Sequence, residues 1–471
     1  MIFVLCGLPG TGKSTLARAL ATKLKCVHIS TDSVRLEFLK RRTYSQKEKF
    51  FVYDKMLEKA ENQLKKEKNV ILDGTFYLKS LREKVKTLGE KNRTFVILIE
   101  CTLSEKEVRK RLFNRKADES EADFEIYKKV KREFEPIKER HLIVDCSKPI
   151  KKQISDVLHY SRKFSQFYLD THISRVYFCG DFVYKIKKPV KFSFLDFSTL
   201  KKRKFFCEEE VRLNKRLCPD IYLRVVKAEK HFGGYLFGTS DADEYAVKMR
   251  KLPMERQMDK LLEKRKVSKK IIKEISSIVA DFHKRIKVIK DKHYGNPELI
   301  QKQINDLSNH REVIESAIGK GRIVDFSLKK CALFNEKNKE LFRKRQREGF
   351  IRDCHGDLHS ANIILANKIY IFDCIEFNKD FRFVDVASEI AFMAMDLDSF
   401  GREDLSKIFV DTYVNITKDH DLYKLLNYYK CYRANVRLKV AAIEYAQNKR
   451  EDIKERMLKY AKLMEMYAYS L

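Results

Sequence analysis

The chain has 471 residues, more than one ordinary core accommodates, so two or three domains are expected. Hydrophobic residues make up 44% of it, enough for packed cores, but no apolar run approaches the length of a membrane span, and Ile2 to Cys6 is too short for a signal peptide. The net charge of +32 invites an anionic partner, yet lysine and glutamate interleave along the whole chain, as in KKVKREFEPIKER, the pattern of a solvated, ion-paired surface; nucleic acid stays open as a partner. The cysteines number 11, an odd count with no C-x-x-C pair, which argues for reduced thiols in a cytoplasmic protein over a disulfide or zinc framework.

The chain opens on MIFVLC, a continuous apolar run expected to be a buried parallel strand. GLPGTGKS follows and fits G-x-x-x-x-G-K-[ST] from Gly7 to Ser14, and TLARALATKL then has helical spacing. Strand, glycine loop and helix are the context in which this motif binds a nucleotide. Gly7, Gly10 and Gly12 let backbone N–H groups turn toward phosphate at the positive end of a helix. Lys13 would neutralise the β- and γ-phosphates of ATP, the Ser14 hydroxyl would ligate Mg²⁺, and Thr15 completes the ATP-binding stretch.

A short strand at Val27 to Ile29 leads to STDSVR. A helix starting there puts Asp32 and Arg35 on one face. Taken alone, Asp32 would read as the helix cap; beside a P-loop it is placed to take a proton from an acceptor hydroxyl, and Arg35 to hold that acceptor. NVILDGTFY reads as an apolar strand ending in Asp73, which would help organise Mg²⁺ through water. After a further buried strand, TFVILIEC, the helical EKEVRKRLFNRK carries Arg111 and Arg115 at i and i+4. They either close over the phosphates as a lid or are surface arginines of a basic helix.

Strands alternating with helices predict a three-layer α/β fold with a parallel sheet over residues 1–155. GLPGTGKS, TDSVR and RLFNR together resemble the P-loop kinases that include polynucleotide kinase, gluconate kinase and the zeta-toxin kinases. The resemblance implies ATP-dependent phosphorylation of a hydroxyl, with Asp32 as base and Arg35 on the acceptor. No guanine-reading N-K-x-D is present, which argues against a switch GTPase.

The boundary is expected near residues 149–160, and a second domain over 160–471. SRVYFCGDFVYKIKKP reads as a hairpin turning at Gly180-Asp181, with Lys185 in its second strand. The helix CEEEVRLNKRL offers Glu210, beside the apolar Val211, as the partner of such a lysine at a second ATP site. Further on, CHGDLHSANIIL has His355-Gly-Asp357 with Asn362 five residues after the aspartate, the spacing of a kinase catalytic loop. NIILANKIYIFD then forms two apolar strands, so that Asn362 and Asp373 fall at one end of a hairpin as a pair of Mg²⁺ ligands, with Asp357 before them as base.

FVYK, CEEEVRLNKRL, HGDLHSANI and FDCIEFN resemble the aminoglycoside phosphotransferase and choline kinase-like proteins. The resemblance implies an α+β bilobal, protein-kinase-like domain, with a β-rich N-lobe at about 165–252, a hinge near Met249–Pro253 and a helical C-lobe at about 253–471. Here D-C-I and H-G-D stand where protein kinases have D-F-G and H-R-D, which points to small-molecule acceptors. Asp385, in FRFVDVASEIAF, is either an orderer of the catalytic loop or a helix cap. The expectation is a bifunctional ATP- and Mg²⁺-dependent phosphotransferase acting on small hydroxyl acceptors. A P-loop domain acting on RNA or DNA 5′-hydroxyls, or one domain sensing ATP for the other, are the alternatives.

Overall fold

The computed structural model describes residues 1–39, 43, 45–113, 124–162, 164, 167–192 and 194–471. By internal contacts the chain divides into two compact units. One comprises Met1–Lys191, Phe197–Glu208 and Leu223–Lys251, and the other Phe192–Asp196, Glu209–Tyr222 and Leu252–Leu471. No helix among the described residues is long and apolar enough to cross a membrane. The cysteines are free thiols, most of them buried.

The first unit opens with β1 (Ile2–Cys6), α1 (Lys13–Leu24), β2 (Val27–Ser30), α2 (Thr31–Phe38), α3 (Gln46–Leu64) and β3 (Val70–Asp73). It continues through α4 (Lys79–Lys91), β4 (Val96–Thr102), α5 (Glu105–Phe113), α6 (Phe124–Glu133), β5 (Leu142–Asp145) and α7 (Ile150–Ser161). The five strands form one sheet in the order β2-β3-β1-β4-β5. Each adjacent pair is parallel. Every residue of β1 and β3 is buried, as a strand covered by helices on both faces requires. Leu5 lies opposite Asp73, and Ser30 also lies opposite Asp73, so the carboxyl ends of β1, β2 and β3 finish level. The chain goes to one side of β1 for β2 and β3 and crosses to the other for β4 and β5. The carboxyl end of β1 is therefore a topological switch point, where open α/β sheets leave a crevice.

The same unit holds a six-stranded sheet in the order Gly234–Phe237, Tyr222–His231, Glu244–Arg250, Phe182–Lys187, Ser174–Cys179 and Phe167–Asp170. Its hairpin at Gly180 pairs Cys179 with Phe182. The two sheets share a core: the Phe95 ring lies 5.8 Å from Tyr168 and 5.6 Å from Tyr177. A β-carbon on Gly234 would come within 2.3 Å of Phe95.

The second unit is mostly helical. Its centre is the helix Val386–Asp398, every residue of which is buried. Helices Leu422–Asn448 and Glu451–Tyr469 pack in the same core. A helix apolar on all sides belongs inside a protein, and this one carries three carboxylates there, each with partners. Glu389 bonds His283 and Asp396 bonds the Ser360 amide. Asp398 bonds Lys430. Arg345, with no exposed side-chain surface, is gripped by Asp385 and Asp419 at 2.7–2.8 Å.

Candidate active site

The sharp turns that open the loop after β1 need glycine. Gly7, Gly10 and Gly12 have φ of +136°, +79° and +101°, and a β-carbon on Gly7 would meet the Cys101 carbonyl oxygen at 2.5 Å. Gly12 is the N-cap of α1, and no side chain caps that helix, so its first N–H groups are left facing the crevice. Lys13, buried, donates from Nζ to the Leu8 carbonyl at 2.8 Å, which holds its ammonium across the loop. The loop lines a cavity of about 650 Å³ together with Ser14, Thr15, Asp32, Arg35, Lys49, Tyr53, Asp73, Tyr77, Arg111, Lys129 and Cys146.

The α2 cap falls to Ser30, whose Oγ accepts from the Ser33 amide at 3.0 Å. The sequence left Asp32 open as cap or base. The structure gives the capping task to Ser30 and sets Asp32 in the first turn, on the cavity wall. Arg35 donates to Asp32 Oδ1 at 3.1 Å and, through Nε, to Glu48 Oε1 at 3.0 Å. Asp73, 3% exposed, ends β3 with Oδ2 3.3 Å from His28 Nε2. Glu48 and His28 are partners that the sequence reading missed. Each lies on an element flanking the loop, but neither has a spacing that ties it to Arg35 or Asp73.

Beyond β3 the wall is fixed by Tyr53. Its hydroxyl lies 3.1 Å from Thr75 Oγ1 and accepts from the Phe76 amide at 2.9 Å. Burial pushes the Tyr53 phenol up to about 12, so it remains a neutral donor and acceptor. Phe76 has φ of +44°, a rare value for an aromatic residue, and that strain is held by Tyr53 and by Arg82, which donates to the Phe76 carbonyl at 2.9 Å. On the other side of β1, Arg111 reaches from α5 to the Cys146 carbonyl at 2.9 Å and passes beside Gly12. Arg115 lies outside the described residues.

In the second unit, residues 355–373 form a separate cluster. Asn362 Nδ2 donates to Asp357 Oδ2 at 3.1 Å and to its carbonyl at 2.9 Å, and His359 Nε2 lies 3.3 Å from the same carboxylate oxygen. Burial would raise the Asp357 pKa, but His359, Arg437 and His355 outweigh it and hold the carboxyl well below the usual range. The strands Ile363–Leu365 and Ile369–Ile371 pair with Ile363 opposite Ile371. The Phe372 amide donates to the Asn362 carbonyl at 3.0 Å, so Asn362 and Asp373 sit at the same end of the hairpin. Asp373 adopts φ of +64°, and its amide donates to the Tyr222 hydroxyl. The loop before Asp357 is tied down by Glu389, which receives the amides of His355 at 3.2 Å and Gly356 at 2.6 Å. Asp385 caps the helix Val386–Asp398 by accepting from the Ala387 amide, so ordering of the loop passes to Glu389, one turn on. Carboxylates in an otherwise apolar helix were the available signal. Glu210, fully buried, is also in this unit. Lys185 lies in the first unit opposite Val247 and is partly exposed, whereas Lys187, two residues on, is 1% exposed against the Phe197 ring.

A family model described as an AAA domain matches residues 2–137. Uncharacterized proteins of Mycobacterium tuberculosis and Mycobacterium bovis are each 29% identical over 285 residues, 60% of this chain and 56% of theirs; the chain thus spans about half the length of the curated relatives it matches. Similar solved structures include a Janibacter sugar kinase, with 14% identity, TM-score 0.29, and coverage of 34% of this chain and 92% of that one. A Sinorhizobium meliloti gluconokinase has 15% identity, TM-score 0.27, and coverage of 33% and 89%. The Mycobacterium tuberculosis APS kinase has 14% identity, TM-score 0.28, and coverage of 34% and 95%. The parallel five-stranded sheet and the loop from Gly7 to Ser14 at its switch point give the N-terminal segment a P-loop α/β fold, over the residues that the AAA-domain model matches.

Proposed function

We propose that the P-loop cavity is the active site of an ATP-dependent phosphotransferase with a hydroxyl acceptor. One observation carries the reading: the glycine loop with Lys13, the Asp32–Arg35 pair and the buried Asp73 all line one cavity at the level carboxyl ends of three strands. The donors suit a nucleotide and its metal, because uncapped N–H groups at the head of α1, a lysine and a hydroxyl face one way, with a carboxylate behind them. When bound, ATP·Mg²⁺ would supply the phosphoryl group and neutralise its charge. Gly7, Gly10, Gly12, Lys13, Ser14 and Thr15 would hold the phosphates, and Ser14 and Asp73 the ion. Asp32 accepts the acceptor's proton as its oxygen attacks. Arg35, fixed by Glu48, orients that carboxylate and the acceptor. Arg111, beside Gly12, closes the phosphate side.

The test is transfer from γ-labelled ATP into an extract split into metabolite and RNA fractions. Lys13→Ala should abolish the product, and a product that persists in Lys13→Ala would remove the reading. Label confined to RNA, with a steep salt dependence, would favour the nucleic-acid 5′-hydroxyl kinase.

A second reading rests on the Asp357–Asn362–His359 cluster. It makes residues 160–471 a protein-kinase-like domain beside a P-loop domain at 1–155, with its own ATP·Mg²⁺ site. Asp357 would be its base and Asn362 and Asp373 its metal ligands, whereas Lys185 and Glu210, which the sequence reading pairs, fall in different units. The depressed Asp357 pKa and the shared hairpin end of Asn362 and Asp373 support it. Asp357→Ala should then remove a labelled product that Lys13→Ala leaves in place. Loss of one common product in both variants would mean that the sites act in series or that one gates the other.

A further inference from the structure

Residues 74–77 leave Asp73 along the cavity wall and pass against the first turn of α2. Their backbone is tied to its neighbours. The Gly74 amide donates to the Leu5 carbonyl at 3.2 Å, and the Gly7 amide, the first of the phosphate loop, donates to the Thr75 carbonyl at 3.3 Å. A β-carbon on Gly74 would come within 2.9 Å of Thr31 Cγ2, next to Asp32, and 3.2 Å from the Tyr53 hydroxyl. Phe76, at a φ of +44°, packs its ring 4.9 Å from that of Tyr53. Strained backbone of this kind concentrates where a side chain has to be aimed. Thr75 is the side chain in question: it lines the cavity together with Asp73, Asp32 and Lys13.

The hydroxyls of Tyr53 and Thr75 carry two protons between them, and one internal bond of 3.1 Å joins them. Tyr53 also accepts from the Phe76 amide, and neither oxygen has a further partner among the described residues. Whichever of the two donates, one O–H is left over. Tyr53 is 4% exposed, whereas Thr75 is half-buried. The arrangement that leaves no buried proton unpaired therefore has Tyr53 donate to Thr75, and Thr75 keep its own proton for the cavity.

We propose that Thr75 is a further catalytic residue of this cavity, its hydroxyl donating to an oxygen of the phosphoryl group in transfer, and that Tyr53 is the positioning residue that makes it a donor. This rests on the phosphotransferase reading of the same cavity and adds two residues to it. Lys13 and the loop amides serve the phosphates from the loop. Thr75, its carbonyl fixed by the first amide of that loop, serves the transferred group from the end of β3. A donor whose direction is set before the substrate arrives costs no reorganisation during transfer, so it favours the transition state over bound ADP.

The experiment titrates the full chain with ADP and Mg²⁺, without and with aluminium fluoride, which mimics the phosphoryl group in flight. Aluminium fluoride should tighten ADP binding in the wild type. Thr75→Val keeps the shape of the side chain and removes the hydroxyl. It should reduce that tightening by about 10–100-fold and leave the affinity for ADP alone unchanged. Thr75→Ser should restore the tightening. Tyr53→Phe should lose a similar amount, and the double variant Tyr53→Phe with Thr75→Val no more than Thr75→Val alone, because the two hydroxyls act as one unit. A wild type that binds ADP but gains nothing from aluminium fluoride, or a gain that survives Thr75→Val, overturns the proposal. A loss confined to Tyr53→Phe, with a lowered melting temperature, assigns the pair to holding the Phe76 turn alone and overturns it as well. Binding of ADP·Mg²⁺ is read first: its failure in the wild type, or its persistence unchanged in Lys13→Ala, sinks the phosphotransferase reading itself.

Discussion

Glu389 receives the Gly356 amide at 2.6 Å, from a helix buried on every side, and so fixes the backbone on which Asp357 stands. His283, itself bonded to Tyr413, supports the same carboxylate at 2.7 Å. Burial would raise the Glu389 pKa, but His283, His355 and the Gly356 amide outweigh it and hold it at about 2.

A carboxyl depressed in the folded state stabilises above its ordinary pKa, and that contribution disappears as pH falls toward the folded value. The Glu389 contribution should be complete above about 4.5 and lost between there and about 2. Glu389→Gln should cost on the order of 3 kcal/mol at neutral pH. Thermal melts of wild type and variant should converge as pH drops through that window; a gap that stays constant to pH 2 would contradict the assignment.

Asp32→Asn keeps the shape of the Arg35 contact and removes the proton acceptor. Turnover should fall by about 10²–10⁴ while affinity for an ATP analogue is retained. A parallel loss of analogue binding would place Asp32 on the nucleotide instead.

Gly12→Ala asks an L-residue to hold φ of +101° with its β-carbon 3.1 Å from Arg111 Nη1. We expect a cost of about 1–3 kcal/mol, with weakened nucleotide binding as Arg111 is displaced. An unchanged melting temperature and unchanged analogue affinity would show that the loop relaxes freely.

Arg345→Met strands Asp385 and Asp419 as buried carboxylates. The expected loss is about 3–5 kcal/mol, visible as an early transition in urea. Replacing both aspartates by asparagine in the Met background should recover part of it; no recovery would point to lost packing rather than uncompensated charge.

Much of the P-loop half was legible. MIFVLC is apolar without interruption and VILD is apolar up to its closing Asp73, as strands buried on both faces require, and the glycine spacing of the loop reflects its own backbone angles. Ser30 as the cap of α2 was less so, because STDS offers several capping side chains in a row and only the Ser33 amide selects among them. His283 and Glu389 are 106 residues apart and carry no common spacing.

The sequence by itself determined the local elements and the loop chemistry: strand, glycine turn and helix at the N terminus, and the spacing from His355 through Asp357 to Asn362, are set by neighbours in the chain. Only the tertiary structure decided which charges balance. That Arg35 is matched by Glu48, that Asp73 meets His28, and that Lys49 lines the same cavity as Asp32 follow from strand order and helix packing. Hydrogen bonds and ion pairs act over a few ångströms in space, and the pairing of residues distant in the chain is fixed only when the sheet and its helices have closed around them.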